Sequence, residues 1–281
     1  NFEIAHYIER LGINYFAVAY QEEAIQLRNK GIQSKIIVLN TGLAEFDELL
    51  DNNIEPAIFS LQQIKRLLKE EGNRSRIGIH IKLDTGMRRL GFMQEDIKEL
   101  CSILGNNPLL KVISIFSHLS GSDSKEFDDF SRKQLTEFEY LYNQLTQTLG
   151  YYPLKHILNS GGISRHPEFQ MDMVRLGIGM YGIDANPSIQ KLLEKTHKLK
   201  TKVSQIKKIK ASDLISYNNS GQLVDDGRIA ILSIGYADGL PRMAGLQKYN
   251  VTIQGQKCAL VGAVCMDMCM VDITNINCNE G

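Results

Sequence analysis

The stretch Lys35-Ile-Ile-Val-Leu-Asn40 places four aliphatic residues in a row and ends on a polar side chain. A strand with one solvated face would alternate apolar and polar residues, whereas an unbroken apolar run is typical of a parallel strand covered on both faces. Seven short apolar runs, several of them nearly continuous, divide the first two-thirds of the chain: Tyr15–Ala19, Lys35–Leu39, Pro56–Phe59, Ile77–Leu83, Val112–Phe116, His156–Leu158 and Met173–Ile178. We therefore predict seven strands of a parallel sheet.

The segments between these runs have the apolar spacing of helices. Ile97, Leu100, Cys101 and Leu104 lie at positions i, i+3, i+4 and i+7, which places them on one face of a helix. Ser60 followed by Gln63 has the pattern of a capping box. Gly31 and Gly72 stand where helices are expected to end in a left-handed residue. Repeated strand–helix units predict parallel strands joined by right-handed crossovers.

The number of strands and the polar residues at their ends indicate a (β/α)8 TIM-type barrel. Such a barrel needs eight strands, and its active site lies where the carboxyl ends of the strands converge. The polar residues that follow the predicted strands are Asn40, Ser60, Asp84, His118, Asn159, Ser160 and Arg175. Because seven strands are predicted and the first residue is Asn1, we expect the first barrel strand to precede this chain.

The character of the sequence changes near residue 197. From Thr201 onward, short alternating segments are separated by turn signals such as Asp226-Gly227 and Asp238-Gly239, a pattern typical of hairpins. The expected strands are Lys202–Ile209, Arg228–Ile234, Asn250–Ile253, Ala259–Val264 and Cys269–Ile273. We predict a barrel over residues 1–196 and a β-rich C-terminal domain over residues 197–281, the latter incomplete at Gly281.

The composition argues against several classes of function. The 32 basic residues balance the 32 acidic ones, so no global field favours nucleic acid or an anionic membrane. No run approaches the ~18 apolar residues of a membrane span. Five cysteines in a chain of this length suggest reduced thiols and a cytoplasmic location. Cys265 and Cys269 lack the spacing of metal ligands and are expected to pack in the core, so no metal site is predicted.

The segment Gly177-Ile-Gly-Met-Tyr-Gly182 matches the glycine pattern of dinucleotide-binding proteins. That fingerprint requires a helix directly after the glycines and an acidic residue about 20 positions later. Asn186-Pro187 breaks a helix here, and no acidic strand end appears near residue 200. The glycines instead indicate backbone amides that can approach an anion closely.

Several motifs together resemble the alanine racemase family of fold-type III pyridoxal-phosphate enzymes, in order and in spacing. These motifs are Lys82-Leu-Asp-Thr-Gly-Met-Arg-Arg-Leu-Gly91, Phe116-Ser-His-Leu-Ser-Gly-Ser-Asp123, Asn159-Ser-Gly161, Met173-Val-Arg-Leu-Gly-Ile-Gly-Met-Tyr-Gly182, Ile234-Gly-Tyr-Ala-Asp-Gly239 and Val264-Cys-Met-Asp267. The resemblance implies a homodimeric isomerase that interconverts L- and D-alanine with pyridoxal 5'-phosphate and supplies D-alanine for peptidoglycan. A racemase domain fused to a cell-wall ligase is compatible with it.

The resemblance also implies the residues that bind the cofactor. Ser160, beside Asn159 and with the backbone N–H groups of Gly177 and Ile178, corresponds to the phosphate site; an N-cap role for Ser160 is the alternative. Arg175 corresponds to the partner of the pyridine nitrogen, and because guanidinium keeps its proton it would leave the ring a weak electron sink, which suits racemisation. A structural arginine paired with a residue such as Asp172 is the other interpretation.

Further roles follow from the same resemblance. His118 would lie against the cofactor and bond to Arg175, although a lone histidine is often a core residue. Arg89 would reach the phenolic oxygen of the cofactor and the substrate carboxylate. Lys82 corresponds to a position that is carbamylated in many members, and an ordinary solvated lysine stays open. Met266 and Asp267 would enter the site of a partner subunit.

Two departures from the family pattern bear on catalysis. The Schiff-base lysine of the family lies on the first barrel strand, in a motif expected before Asn1. The tyrosine that serves as second base is replaced by Gly221 in Ile215-Ser-Tyr-Asn-Asn-Ser-Gly221. Tyr217 is the nearest hydroxyl candidate for that base. Two alternatives to an alanine racemase stay open: another fold-type III racemase or decarboxylase, and a pyridoxal-phosphate-binding homologue without catalysis.

Overall fold

A computed structural model describes residues 2–42, 46–70, 72, 74, 76–246 and 249–281. The chain divides into two compact units, Asn1–Thr196 and His197–Gly281. In the part of the chain that is described, no helix is both long enough and apolar enough to cross a membrane.

The first unit is built on a six-stranded parallel sheet whose strands follow one another in chain order. Its strands are β1 (Tyr15–Val18), β2 (Lys35–Val38), β3 (Ile54–Ile58), β4 (Ile77–Lys82), β5 (Leu110–Phe116) and β6 (Leu154–His156). Its helices are α1 (Phe2–Arg10), α2 (Gln21–Asn29), α3 (Phe46–Asp51), α4 (Leu61–Leu67), α5 (Ile97–Asn106), α6 (Asp128–Leu149), α7 (Ser160–Arg165) and α8 (Pro187–Gln190). This arrangement is a half-barrel, and closure with eight strands stays a prediction.

Five of the seven predicted strands of the first unit are confirmed; the predicted strand His156–Leu158 is displaced, since β6 ends at His156, and Met173–Ile178 is wrong. That segment bonds to the β6 region at two points, through Asp172 N to Lys155 O and Arg175 N to Leu158 O. A continuous ladder does not form, because the segment turns at Gly177 into a 3-10 turn over Ile178–Tyr181. The apolar run was compatible with a strand, but the glycines that follow it take the backbone out of the sheet.

Helix signals in the sequence correspond to real caps. Ser60 Oγ accepts a hydrogen bond from Gln63 N, while the Gln63 side chain accepts from Phe59 N, one residue earlier than a standard capping box. The apolar stripe of α6 buries Phe138, Leu141 and Leu145, which pack in one core with β-strand residues such as Ile79 and Ile115. Burial of this stripe, at roughly 25 cal/mol per Å² of apolar surface, is what holds α6 on the sheet.

The second unit contains a three-stranded antiparallel sheet and a hairpin. The sheet has the order β11 (Cys269–Asp272), β8 (Gly227–Leu232) and β7 (Val203–Ile209), and the hairpin joins β9 (Asn250–Ile253) to β10 (Gln256–Ala259). The predicted strand Ala259–Val264 is wrong: the strand ends at Ala259, and only Leu260 continues with an isolated bridge to Val271. The turn at Gln254 and Gly255, both at positive φ, is followed directly by β10, which therefore begins at Gln256, earlier than its apolar residues suggested.

All five cysteines are free thiols. Cys101 lies on α5 in the first unit, and the other four, Cys258, Cys265, Cys269 and Cys278, belong to the second. Cys258, Cys269 and Cys278 are buried in an apolar core, and burial raises the pKa of Cys269 to about 11. Among the described residues, no group of three or more His, Cys, Asp or Glu side chains could hold a metal ion.

Candidate active site

The ends of β4, β5 and β6 bring together several of the predicted site residues in the first unit. Lys82 is the last residue of β4, His118 follows β5, and Asn159 and Ser160 follow β6. Arg175 joins them because its backbone N–H bonds to Leu158 O at 3.0 Å, directly beyond the end of β6. Parallel strands end at one edge of a sheet, so polar residues at those ends become neighbours.

The Arg175 guanidinium donates hydrogen bonds to several acceptors, and none of these acceptors in the described residues is a carboxylate. Its Nη2 donates to Ser117 O at 2.6 Å, to Ile157 O at 3.2 Å and to His118 Nδ1 at 3.2 Å, and its Nη1 donates to His156 Nδ1. Asp172, the partner required by the structural interpretation, instead accepts from Lys155 N at 2.7 Å. Burial, and then the charge of Arg89, lower the pKa of Arg175 to about 10. The guanidinium therefore remains charged at neutral pH.

His118 lies between Arg175 and Asn159 and is kept neutral. Arg175 donates to His118 Nδ1, and Asn159 Nδ2 lies 3.5 Å from His118 Nε2. Burial, and next the charges of Arg175, Arg89 and Lys82, lower the pKa of His118 to about 3. A neutral imidazole at this place can lie against an aromatic ring without adding charge to the site.

Ser160 forms a small cradle with the glycine segment. Its Oγ accepts hydrogen bonds from Gly177 N at 3.0 Å and Gly179 N at 3.1 Å. The N-cap of α7 is Asn159, whose side chain accepts from Gly162 N at 3.0 Å, so the N-cap interpretation of Ser160 is wrong. A Cβ at Gly179 would lie 2.9 Å from Leu176 Cδ1 and 3.4 Å from Ser160 Oγ, and the exposed Leu176 side chain would have to move to make room for it. Gly177 and Ile178 are exposed.

Lys82 adds a further cationic group to the site. It is buried, and burial together with the charges of Arg89 and Arg175 lowers the pKa of its amine to about 8. Asp84 does not form an ion pair with it, because its carboxylate accepts from Gly86 N and Arg88 N. Arg89 is exposed. Over the described ranges, none of these cations, Lys82, Arg89 and Arg175, forms an ion pair with a carboxylate.

The cluster has the chemistry that pyridoxal phosphate requires. Ser160 Oγ accepts from two glycine amides and can donate its own proton, which suits a phosphate dianion. The cations without an ion pair in the described residues suit the remaining anionic groups of the cofactor and a substrate carboxylate. A neutral histidine next to Arg175 leaves room for an aromatic ring without a competing charge. The donor set therefore fits the group.

The remaining candidates, Tyr217, Met266 and Asp267, lie in the second unit and are exposed there. Tyr217 begins a 3-10 turn after Ser216, whose φ is +71°, and it lines a shallow apolar groove with Cys265 and Met268. Met266 and Asp267 occupy a tight loop in which Cys265 N bonds to Met268 O. The roles of these three residues stay predictions.

Gly221 occupies a crowded position in the second unit. It exchanges backbone hydrogen bonds of 2.8 and 2.9 Å with Ile215. A Cβ at this position would lie 2.6 Å from Gly262 N and 2.7 Å from Gly262 Cα. Both contacts are with backbone atoms, so a tyrosine cannot replace Gly221 unless the chain moves.

Several polar residues behind the site were not predicted from the sequence. Glu55, His80, Ser114 and His156 are located within strands β3 to β6, and Thr85 bonds to Ser117 at 2.8 Å. A signal was available, since each of the four interrupts an apolar strand with a polar side chain. Their mutual contacts depend on strand register, which the sequence does not reveal.

Comparison with known proteins gives a consistent result over both units. Family models described as "Alanine racemase, N-terminal domain" and "Alanine racemase, C-terminal domain" match residues 2–185 and 196–281. The alanine racemase of Fusobacterium nucleatum is 37% identical over 277 residues, which covers 96% of this chain and 75% of that protein. The alanine racemase of Clostridium novyi is 37% identical, with 94% and 70% covered.

Solved structures show the same similarity. An alanine racemase of Clostridium difficile 630 superimposes with a TM-score of 0.82 at 28% identity, covering all of this chain and 74% of that one. The Bacillus anthracis alanine racemase, with bound L-Ala-P, gives a TM-score of 0.79 at 30% identity, with 94% and 69% covered.

Proposed function

The chain belongs to the alanine racemase family, whose members are isomerases, and from that premise we propose that it interconverts L- and D-alanine with pyridoxal 5'-phosphate. The observation that carries the proposal is the pair of cations Arg89 and Arg175, which form no ion pair with a carboxylate of the described residues and lie in the group that includes the Ser160 cradle. Such a site is built for a ligand with several negative charges. A closed eight-stranded barrel around this site is part of the proposal.

Each part of the cofactor has residues that would hold it. Ser160 and the amides of Gly177 and Ile178 would bind the phosphate, Arg175 would donate to the ring nitrogen, and His118, oriented by Asn159, would lie beside the ring. When bound, pyridoxal phosphate supplies a ring that accepts electron density from the substrate Cα. Arg175 stays protonated at working pH and keeps its proton, so the ring nitrogen is left without one.

Arg89 would bind the carboxylate of the substrate, and Lys82 would orient Arg89. Arg89 is free to bind the carboxylate of alanine through charge-assisted hydrogen bonds. A lysine with a pKa of about 8 is about half neutral near pH 8, and its neutral amine can add to CO2 with loss of a proton. The carbamate formed would place a negative charge next to Arg89 and orient that side chain.

The second proton-transfer group is proposed to be Tyr217, since Gly221 carries no side chain. Met266 and Asp267 are proposed to reach the site of a partner subunit, which makes the working unit a homodimer. Replacement of Tyr217 by Phe tests the first assignment: a loss of less than tenfold in the rate from L-alanine would show that another group transfers the proton.

The product would serve cell-wall synthesis. D-alanine is proposed as the precursor supplied to peptidoglycan, with the protein acting in the cytoplasm. The crowding at Gly221 favours one further candidate, a fold-type III enzyme that acts on another amino acid and uses a different second group. A panel of amino acids as substrates separates the two candidates.

The central test is proton exchange in D2O. The protein is incubated with L-alanine and pyridoxal phosphate, and deuterium at Cα is followed together with optical rotation. Deuterium incorporation with loss of optical activity supports racemisation, whereas no exchange with alanine in a cofactor-loaded sample refutes it. Arg175→Leu should abolish exchange. The matched control Arg132→Leu, which removes an exposed arginine with a long 3.8 Å ion pair to Glu168, should leave the rate within twofold.

A further inference from the structure

A line of polar side chains crosses the first unit from strand to strand and ends at Arg175. Glu55 Oε2 lies 2.8 Å from His80 Nε2, and His80 Nδ1 lies 2.6 Å from Ser114 Oγ. Ser114 Oγ lies 2.9 Å from His156 Nε2, and His156 Nδ1 accepts from Arg175 Nη1. The four strands that contribute, β3 to β6, are neighbours in the sheet. We call these five residues the transverse chain.

Both ends of the transverse chain fix the positions of its protons. A guanidinium can only donate and a carboxylate can only accept. His156 Nδ1 must therefore accept from Arg175, so His156 donates through Nε2–H to Ser114 Oγ. Ser114 then donates its hydroxyl proton to His80 Nδ1. His80 in turn donates through Nε2–H to Glu55. In the order that we infer, every hydrogen bond points the same way, and His80 and His156 each carry their proton on Nε2.

The charges at the two ends are complementary. Arg175 is half-buried and forms no ion pair in the described part of the chain, and withdrawing a cation from water without compensation is costly. Glu55 is the carboxylate that a continuous series of hydrogen bonds connects to it. The middle of the chain is dry, because His80, Ser114 and His156 are fully buried. In such surroundings aligned hydrogen bonds polarise one another and carry part of the anionic character along the series.

Two neighbours keep Glu55 in place as an anion. Lys35 on β2 lies 3.8 Å from its Oε1, and Lys35 Nζ donates to Tyr15 OH on β1 at 3.2 Å. Burial pushes the pKa of Glu55 upward, but the interactions with His80, and after them the charge of Lys35, outweigh it, and the pKa lies below its ordinary value. With Lys35 and Tyr15 included, each of the six strands contributes one polar side chain to a continuous series.

We propose that Glu55, acting through His80, Ser114 and His156, is the remote counter-charge and positioning residue of Arg175. The inference rests on the proposed function only for its catalytic consequence, because the proton order is a property of the protein itself. By polarising His156 Nδ1, the carboxylate holds the Arg175 guanidinium in the orientation in which Nη2 donates to Ser117 O, Ile157 O and His118 Nδ1.

Nitrogen-15 NMR on protein labelled at histidine and arginine tests the proton order without any cofactor. The expected spectrum has His80 and His156 as Nε2–H tautomers, together with slow solvent exchange of the Arg175 Nη1 protons. Glu55→Gln keeps the shape of the side chain but removes its charge, and it should speed that exchange at least tenfold. Glu139→Gln, which removes a carboxylate paired with Lys155 at 3.0 Å, is the matched control and should change it less than twofold.

A second variant covers the case in which Glu55→Gln folds poorly. Ser114→Ala breaks the series in the middle, and its expected signature is a mixture of tautomers at His156 with fast exchange at Arg175. A wild-type His80 that carries its proton on Nδ1, or unchanged Arg175 exchange in both variants, would overturn the proposal.

Measurements of turnover then distinguish the positioning role of Glu55 from the proposed function of the protein. If the protein racemises alanine, Glu55→Gln should lower kcat at least tenfold and leave KM within twofold, while Glu139→Gln changes neither. A protein that shows the expected tautomers but no turnover would refute the proposed function and leave the positioning role intact. Full activity in Glu55→Gln with altered Arg175 exchange would refute the catalytic consequence.

Discussion

Replacement of Gly221 by alanine is the sharpest test of the second unit. The residue bonds to Ile215 on one side and contacts Gly262 on the other, and the added Cβ would lie 2.6 Å from Gly262 N. Real Cβ atoms do not approach backbone atoms this closely, so one of the two segments must move. Gly262 cannot yield easily, because its φ is +72° and it is itself packed against Ser216.

The expected cost follows from two contributions. Overpacking of a tight site costs about 1–3 kcal/mol, and weakening the two hydrogen bonds between Ile215 and Gly221 adds about 1 kcal/mol. We expect the free energy of unfolding to fall by about 2–4 kcal/mol. Gly255→Ala is the matched control: its φ is +80° but its Cβ would meet no atom within 4 Å. That change should cost only the left-handed strain, about 1–2 kcal/mol.

Urea unfolding, followed by circular dichroism and tyrosine fluorescence, measures both variants. If Gly221→Ala costs no more than Gly255→Ala, the close approach of Gly221 to Gly262 does not exist and the argument fails. The result also bears on catalysis. If the crowding is real, Gly221→Tyr destabilises the unit instead of restoring a second base.

Three further predictions concern the first unit. Ser160→Ala should weaken binding of inorganic phosphate and of pyridoxal phosphate at least tenfold in titration calorimetry, whereas Ser164→Ala should stay within twofold; equal effects would contradict the cradle. His118 has a folded pKa of about 3, below its unfolded value of about 6.5, so stability falls as pH drops through that window. His118→Asn should remove a slope of at most about 1.4 kcal/mol per pH unit, and unfolding midpoints between pH 4 and 6.5 that vary equally in both proteins would refute the shift. Lys82, with a pKa of about 8, should give a carbamate signal with ¹³C-labelled CO2 near pH 8 that Lys82→Arg abolishes; a signal that persists in the variant belongs to another amine.

Much of the fold could be predicted because apolar periodicity reports burial directly. The runs around Ile36 and Ile115 became strands since both faces of a parallel strand are covered, and the stripe from Ile97 to Leu104 became α5. Met173–Ile178 was wrong for a physical reason. An apolar run shows that a segment is buried or half-buried, but it does not show whether a neighbouring strand offers it a full ladder.

The site was predicted unevenly. The resemblance led to Arg175, His118 and Ser160, and the structure places these side chains near one another, with the predicted contact from Arg175 to His118. His80 and His156 were not identified, although each interrupts an apolar strand. Their importance comes from register: His80 lies opposite Ser114 across β4 and β5, and such pairings are set by the whole sheet and not by local sequence.

Because the thiols are distributed unequally between the two units, thiol labelling can show which unit unfolds first. One cysteine belongs to the first unit and four to the second, so the number of alkyl groups found by mass spectrometry identifies the part that was open when the reagent was added. A raised pKa slows the reaction of Cys269 further while the core is closed. Pulses of reagent at increasing urea would thus follow the opening of each unit separately on one sample, without any introduced label.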